Sequence, residues 1–442
     1  MDESRSLFYE WYVVFVLILA SMVSFIDRQV ITLLVQPIRA DLNINDTEIS
    51  LLMGMAFAIF YVTMGVPIAR LSDSRSRKKI IASGIFLWSL ATATCGLARN
   101  FAQLFLARIA VGVGEATLTP AAYSLITDYF PPKKLGQAIG AFATSIFLGA
   151  GLAMVLGGYA VRFISQAGPV TLPVVGVIQP WQMTFIAVGL PGIILVVVML
   201  ATIREPARRD TLQTAGDRKA VPISEVAAFM MMNRKTLGSI FLGYAAGGMA
   251  FYGFLFWVPE YIRRTYGWEI SDAGIVFGAE FAIFGTIGAF GGGILCDWLT
   301  RRGYKDAALR AAAIIFATAM PIMAVTPLLP TATLAMPMLA LMSFVMSLQQ
   351  ALSPVAIQLI TPNEMRAQVT ALFFLVASFS SIAFGSLSVA LLTDYVFQND
   401  DDLRYSLSIV ALVTMSLAAL SLRLGWKPYR ESLERSLEWR EE

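Results

Sequence analysis

The chain of 442 residues is 57% apolar and 14% charged, with a mean hydropathy of +0.68, whereas a soluble domain carries about 25% charged residues. That excludes a water-soluble globular class. With no histidine and two distant cysteines, Cys95 and Cys296, it also excludes Ser-His and Cys-His catalysis, histidine zinc sites and a disulfide framework. The net charge of +3 is dispersed over short loops, so no basic stripe for nucleic acid forms. Neither an enzyme nor a bound metal or cofactor is expected.

Residues 1–12 hold one Arg and no Ala-x-Ala site, and the apolar run that follows is too long for a signal-peptide core. Helix 1 is therefore expected to be retained. Spans sufficient for a hydrocarbon core of about 30 Å are predicted over 11–35, 47–69, 80–98, 101–130, 135–161 and 181–202 in the first half. In the second they cover 237–258, 272–296, 309–328, 333–360, 367–392 and 404–422. The loop 168–180, with Pro and Gly, fits a short hairpin, and 222–232 fits a surface helix or a tether. The expected architecture is an all-α integral membrane protein of twelve transmembrane helices. Its six-helix bundles cover 1–203 and 236–425, joined by a polar linker at 204–235, with a tail at 426–442.

Of the 33 lysines and arginines, 25 fall in the termini and even-numbered loops and six in the opposite loops. The positive-inside rule then places both termini in the cytoplasm. Arg28 and Arg108 alone are left within predicted spans.

Ala69-x-Leu71-x-Asp73-x-x-x-Arg77-Lys78 after helix 2 recurs as Gly293-x-Leu295-x-Asp297-x-x-x-Arg301-Arg302 after helix 8. Glu115 and Pro120 in helix 4 are echoed by Gln349 and Pro354 in helix 10. Two related halves of this kind mark transporters, whose sites lie between repeats near the midplane. In the loop, Asp73 is expected to accept from the free N–H groups at the start of helix 3. Arg77 or Lys78 would pair with it or with helix-end carbonyls of the opposite half, making a latch; Asp297, Arg301 and Arg302 would do the same in the second copy.

Arg108 and Glu115 lie seven residues apart in an apolar run, so on a helix they share a face to within about 20° and stand about 10 Å apart along the axis. A charge in hydrocarbon costs a few kcal/mol unless it meets protein or water. Helix 1 adds Asp27 and Arg28, which diverge by about 100°; one turns to the cavity while the other reaches helix 4 or a lipid-like ligand. Asp27, Arg28, Arg108 and Glu115 form a titratable set in one half, whereas the second offers Glu280, Gln349 and Gln350. A carboxylate whose Arg partner moves away takes up a proton, which provides proton coupling without histidine. The alternative is a buried structural tether.

These motifs resemble the major facilitator superfamily over essentially the whole chain: the loop charges Asp73, Arg77 and Lys78, and Arg-x3-Gly-x-Gly at Arg108, Gly112 and Gly114. Ala69, Ser74 and Ser76 depart from the family's loop motif. Phe25-Ile-Asp27-Arg28 together with Arg108 and Glu115 is similar to the spinster family of lysolipid and sphingosine phosphate transporters, in its bacterial type. The resemblance implies proton-coupled, rocker-switch transport of an amphiphilic lipid, with Asp27 and Glu115 as protonation sites, Arg108 as the switch between them, and Arg28, with Arg108, as a contact for an anionic head group. On helix 7, Tyr244 and Phe251 would suit an alkyl chain, although such residues also serve packing. A small organic-anion or drug transporter of the same fold is the alternative, followed by an uncoupled scramblase. Substrate, protons and bilayer are the expected partners of a monomeric, multi-pass protein of the bacterial inner membrane.

Overall fold

The structure is a computed structural model that describes residues 7–173, 176–207, 222–350, 352–362 and 365–441. The transmembrane helices of the first half are α1 (Phe8–Gln29), α2 (Ala56–Ser74), α3 (Arg77–Cys95), α4 in two pieces (Phe101–Glu115 and Leu118–Tyr129), α5 (Pro132–Ser165) and α6 (Pro180–Thr202). The second half supplies α7 (Arg234–Tyr266), α8 (Ile270–Arg301), α9 (Ala307–Val325), α10 in two pieces (Ala332–Ser347 and Leu352–Ile360), α11 (Arg366–Leu391) and α12 (Leu403–Leu424), followed by α13 (Trp426–Glu441). Among the described residues, eleven helices are long and apolar enough to cross a membrane. The twelfth of the sequence count, α3, opens on three basic residues.

Local chemistry sets the helix starts. Asn45 and Glu48 exchange side-chain and backbone hydrogen bonds in a capping box ahead of α2, Ser76 accepts from the Lys79 amide at the start of α3, and Asn100 accepts from the Gln103 amide at the start of α4. Pro132 and Pro180 occupy first-turn positions, where the missing N–H costs nothing. The loop before α6 forms the expected hairpin, with β1 (Val170–Leu172) antiparallel to β2 (Gly176–Ile178) and Thr171 opposite Val177. Of the expected linker, residues 208–221 lie outside the described residues, and Ile223–Met232 is a helix.

Two helices expected to be continuous are broken. Helix 4 interrupts at Ala116–Thr117 and helix 10 at 348–351, with residue 351 outside the described set. Proline explains both: Pro120 and Pro354 each follow the break, and a proline ring removes one amide and crowds the carbonyl four residues earlier. Helix 1 likewise tightens into a 3₁₀ turn, Val30–Leu33, and helix 2 begins with a π turn, Leu51–Met55.

Contacts divide the chain into one unit of residues 1–211 with 267–282 and another of 212–266 with 283–442. Inside the first unit α1 packs on α5, and α3 on α6; inside the second, α7 packs on α11, and α9 on α12. Each unit therefore repeats the pairing of its first helix with its fifth and its third with its sixth.

The two glycines of the helix 4 motif have separate duties. A Cβ on Gly112 would stand 2.5 Å from the Phe57 carbonyl oxygen of α2, and one on Gly114 would stand 2.7 Å from the Trp88 amide nitrogen of α3. Helix 4 thus touches the backbones of two neighbours. Gly114→Val is expected to lower stability by at least about 1–3 kcal/mol through overpacking; an unchanged thermal unfolding midpoint in detergent would contradict this account.

Candidate functional site

The four intramembrane charges singled out from the sequence converge within the first unit. Glu115 Oε2 accepts from Arg28 Nη2 at 2.5 Å and from Ser24 Oγ at 2.7 Å, in a pair whose side chains are 0% and 6% exposed. The Arg28 guanidinium also lies 4.2 Å from the Phe57 ring centre and 5.0 Å from those of Phe25 and Tyr61. Three ring faces around one cation add roughly 0.5–2 kcal/mol each, depending on desolvation.

Arg108 is fully buried and binds backbone instead of carboxylate. Its Nη1 donates to the Asp27 carbonyl at 3.0 Å and its Nε to the Leu52 carbonyl at 3.3 Å. Both acceptors sit where regular winding changes, since Asp27 precedes the 3₁₀ turn of helix 1 and Leu52 lies in the π turn of helix 2. Such changes free carbonyls from their usual helical donors. Arg108 and Glu115 thus share a face, as their spacing requires, and that face meets α1.

Asp27 is 0% exposed, and neither carboxylate oxygen has a hydrogen-bond partner among the described residues; Thr92, whose hydroxyl is equally unsatisfied, lies beside it. The adjacent Asp27 and Arg28 serve different neighbours, as their divergence on the helix demands. Glu115 Oε1 and Arg108 Nη2 are likewise buried without a hydrogen-bond partner among the described residues. The cluster holds ionisable groups and unsatisfied polar atoms with almost no solvent contact, a combination rare in natural interiors.

The other singled-out residues lie elsewhere. Tyr244 is buried between Phe316 and Phe373 in the second unit, with ring centres 5.7 Å away in each case, and its hydroxyl has no hydrogen-bond partner among the described residues. Phe251 is half-buried against Tyr252. Glu280 on α8 is half-buried.

At the start of α3, Arg77 is 1% exposed and forms ion pairs with Asp128 and with Glu205, the latter at 2.9 Å. The first amides of α3, those of Arg77 and Lys78, donate to Glu205 at 3.2 and 2.9 Å, and Ser76 Oγ donates to it at 2.7 Å. These are the amides expected from sequence to meet Asp73, whose side chain lies outside the described residues. Lys78 Nζ donates to the Leu200 carbonyl of α6 at 2.9 Å, a helix-end carbonyl of its own half.

In the second copy, Asp297 and Arg301 are exposed, and Arg302 stacks over Trp298 at 3.8 Å. A few residues on, the buried Asp306 pairs with the half-buried Arg310 at 2.6 Å, and Arg310 also lies over Trp426 at 4.1 Å.

Several participants escaped the sequence reading. Asp128 stands in the same apolar run as Arg108 and Glu115 and was legible as a third charge; Glu205 sits just beyond helix 6 among balanced linker charges, where nothing marks it. Phe25, Phe57 and Tyr61 look like ordinary membrane-helix aromatics, and their gathering around Arg28 depends on how α1 and α2 pack.

The chain belongs to the Major Facilitator Superfamily, whose family model matches residues 17–386. A crystal structure of a bacterial homologue to the human lysosomal transporter Spinster, in an inward-facing and unoccupied conformation, superposes with a TM-score of 0.76 at 26% identity, covering 98% of this chain and 99% of that one. Among curated proteins, a probable L-galactonate transporter of Escherichia coli K12 is 26% identical over 68% of this chain and 64% of its own length. Protein spinster of Drosophila melanogaster is 24% identical over 66% of this chain and 47% of its own length. The match therefore spans less than two thirds of either curated relative.

Arg28→Ala strands Glu115 in the interior and is expected to cost about 3–5 kcal/mol. Adding Glu115→Gln should restore part of that loss, and additive losses in thermal melts of the two variants and their combination would refute the coupling. For Glu205, burial pushes the carboxyl up, but hydrogen bonds from Ser76, the Lys78 amide and Arg77 outweigh it and hold the group below its ordinary value. A lowered folded value stabilises at pH above the unfolded one, near 4.3, and the gain is lost as pH falls through the folded value. Glu205→Gln should therefore destabilise by about 1–2 kcal/mol at pH 7, and the difference should fade as pH drops through the folded value. A pH-independent difference in unfolding midpoint would contradict it.

Proposed function

Proceeding from membership of this superfamily, we propose that the protein is a proton-coupled secondary transporter that moves an amphiphilic lipid with an anionic head by alternating access. The observation that carries the reading is the sealed cluster on α1 and α4, in which Arg28 holds Glu115 while the Asp27 carboxyl has no hydrogen-bond partner among the described residues.

An ionised carboxyl in a dry interior costs several kcal/mol unless a cation or donor meets it. Protonation of one carboxyl therefore depends on which group its arginine serves. An anionic head group that draws Arg28 to itself leaves Glu115 without its cation, and the uncompensated charge is relieved by a proton. Arg108, tied here to two carbonyls, is free to exchange those neutral acceptors for either carboxylate. Binding of an anion and binding of a proton are then linked through shared arginines, which is what coupled transport requires. The aromatic faces of Phe25, Phe57 and Tyr61 would suit both the guanidinium and the apolar portion of an amphiphile.

Orientation with both termini in the cytoplasm belongs to the same proposal and rests on the distribution of basic residues. A second reading, transport of small organic anions such as sugar acids, is favoured by the name of the Escherichia coli relative. Arg28 and Arg108 would serve a carboxylate as well as a phosphate.

Proteoliposomes with an imposed pH gradient test the coupling, since one pH unit supplies about 1.4 kcal/mol per proton, a tenfold accumulation ratio. Wild-type protein should concentrate a labelled lysophospholipid in response to the gradient, and Glu115→Gln should still bind it while losing the response. Gradient-driven uptake undiminished in the variant would defeat the coupling, and displacement by hexonates but not by lysolipids would select the second reading.

A further inference from the structure

In the second unit a cavity of about 240 Å³ opens where the helix Ile223–Met232 turns into α7 and faces α13. Arg234, Lys235 and Arg435 line it, with Glu431 as its acidic residue, so its side chains carry an excess of two positive charges. Arg435 is fixed at one wall by donating to Asn233 Oδ1 at 2.9 Å and to Ser432 Oγ at 3.1 Å. The cavity also receives the first turn of α7, a helix of 33 residues, whose opening N–H groups have no helical acceptor.

The surface leading to the cavity is apolar. Ile223, Met231 and Met232 are 79%, 63% and 68% exposed, and the Met pair also lines the cavity. We infer that this cavity binds the phosphate-bearing head of an anionic glycerophospholipid while the helix Ile223–Met232 rests in the interfacial layer. Charge complementarity requires an anion, and the exposed Ile and Met side chains call for acyl chains beside it. A free anion in water would neutralise the arginines and leave that apolar surface wet. A zwitterionic head would bring its own cation against Arg234 and Lys235. The succession of apolar helix, basic pair and transmembrane helix matches the order of acyl boundary, phosphate layer and hydrocarbon core. The inference is independent of what the protein carries, because none of these residues belongs to the α1–α4 cluster.

Native mass spectrometry of the full chain, released from micelles holding equal amounts of phosphatidylglycerol and phosphatidylcholine, tests it. Wild type should retain phosphatidylglycerol preferentially. Arg234→Gln and Lys235→Gln should each reduce that preference about fivefold, the factor for one surface cation near an anionic head, and Glu431→Gln should increase it. Both basic positions are exposed, and the wild-type comparison stands even if a variant folds poorly. Equal retention of the two lipids, full preference in both glutamine variants, or displacement of phosphatidylglycerol by millimolar inorganic phosphate would overturn the inference, the last by revealing a site for free anions.

Discussion

An ionised side chain removed from water must find a partner, and the interior of the first unit is arranged around that demand. Arg28 and Glu115 meet at 2.5 Å with almost no exposure, and three aromatic faces complete the surroundings of the cation. In a low-dielectric interior such a pair is costly to break from one side only. That asymmetry makes it sensitive to any competitor for the arginine. Arg108 is held more loosely, by two neutral carbonyls, and Asp27 has no hydrogen-bonded partner among the described residues. A fully paired network would be merely structural. Here Asp27 and one nitrogen of Arg108 are left without a hydrogen-bond partner among the described residues.

Close helix contact makes the pairing possible, and irregular winding equips it. Gly112 and Gly114 remove the side chains that would hold α4 away from α2 and α3, while the carbonyls that anchor Arg108 come from Leu52, inside the π turn of helix 2, and from Asp27, just ahead of the 3₁₀ turn of helix 1. The break after Glu115 ends the straight helix at the charged residue itself. Departures from regular helix thus cluster at the residues with chemistry, as expected where backbone groups must serve something other than the helix.

The duplicated loop shows how far a repeat can diverge while its pattern persists. In the first copy Arg77 is buried against Asp128 and Glu205, which also accepts the opening amides of α3. In the second, Arg301 is exposed and Arg302 stacks on Trp298, while the buried carboxylate is Asp306, paired with half-buried Arg310 a few residues later. Helix pairing inside each unit is nevertheless the same. Apolar packing tolerates substitution of one hydrophobic residue by another, whereas an ion pair depends on both partners.

Hydropathy and spacing alone determined the membrane class, the helices, the internal duplication and the four charges on α1 and α4. Those properties are local or periodic, and a charge among apolar residues stands out without reference to any neighbour. The proline positions held the breaks in helices 4 and 10 as well, though an apolar run masks them. Tertiary structure decided the pairings: that Glu115 meets Arg28 and not Arg108, that Arg108 takes carbonyls, and that Glu205 receives the first amides of α3. The same holds for the rings around Arg28 and the basic cavity beside Arg234. A helix fixes the direction of a side chain relative to its own axis, and only the packing of that axis against others decides what lies there. Asp27 and Arg28 show the division most clearly. Their divergence by about 100° is a property of the helix, and their different neighbours are a property of the fold.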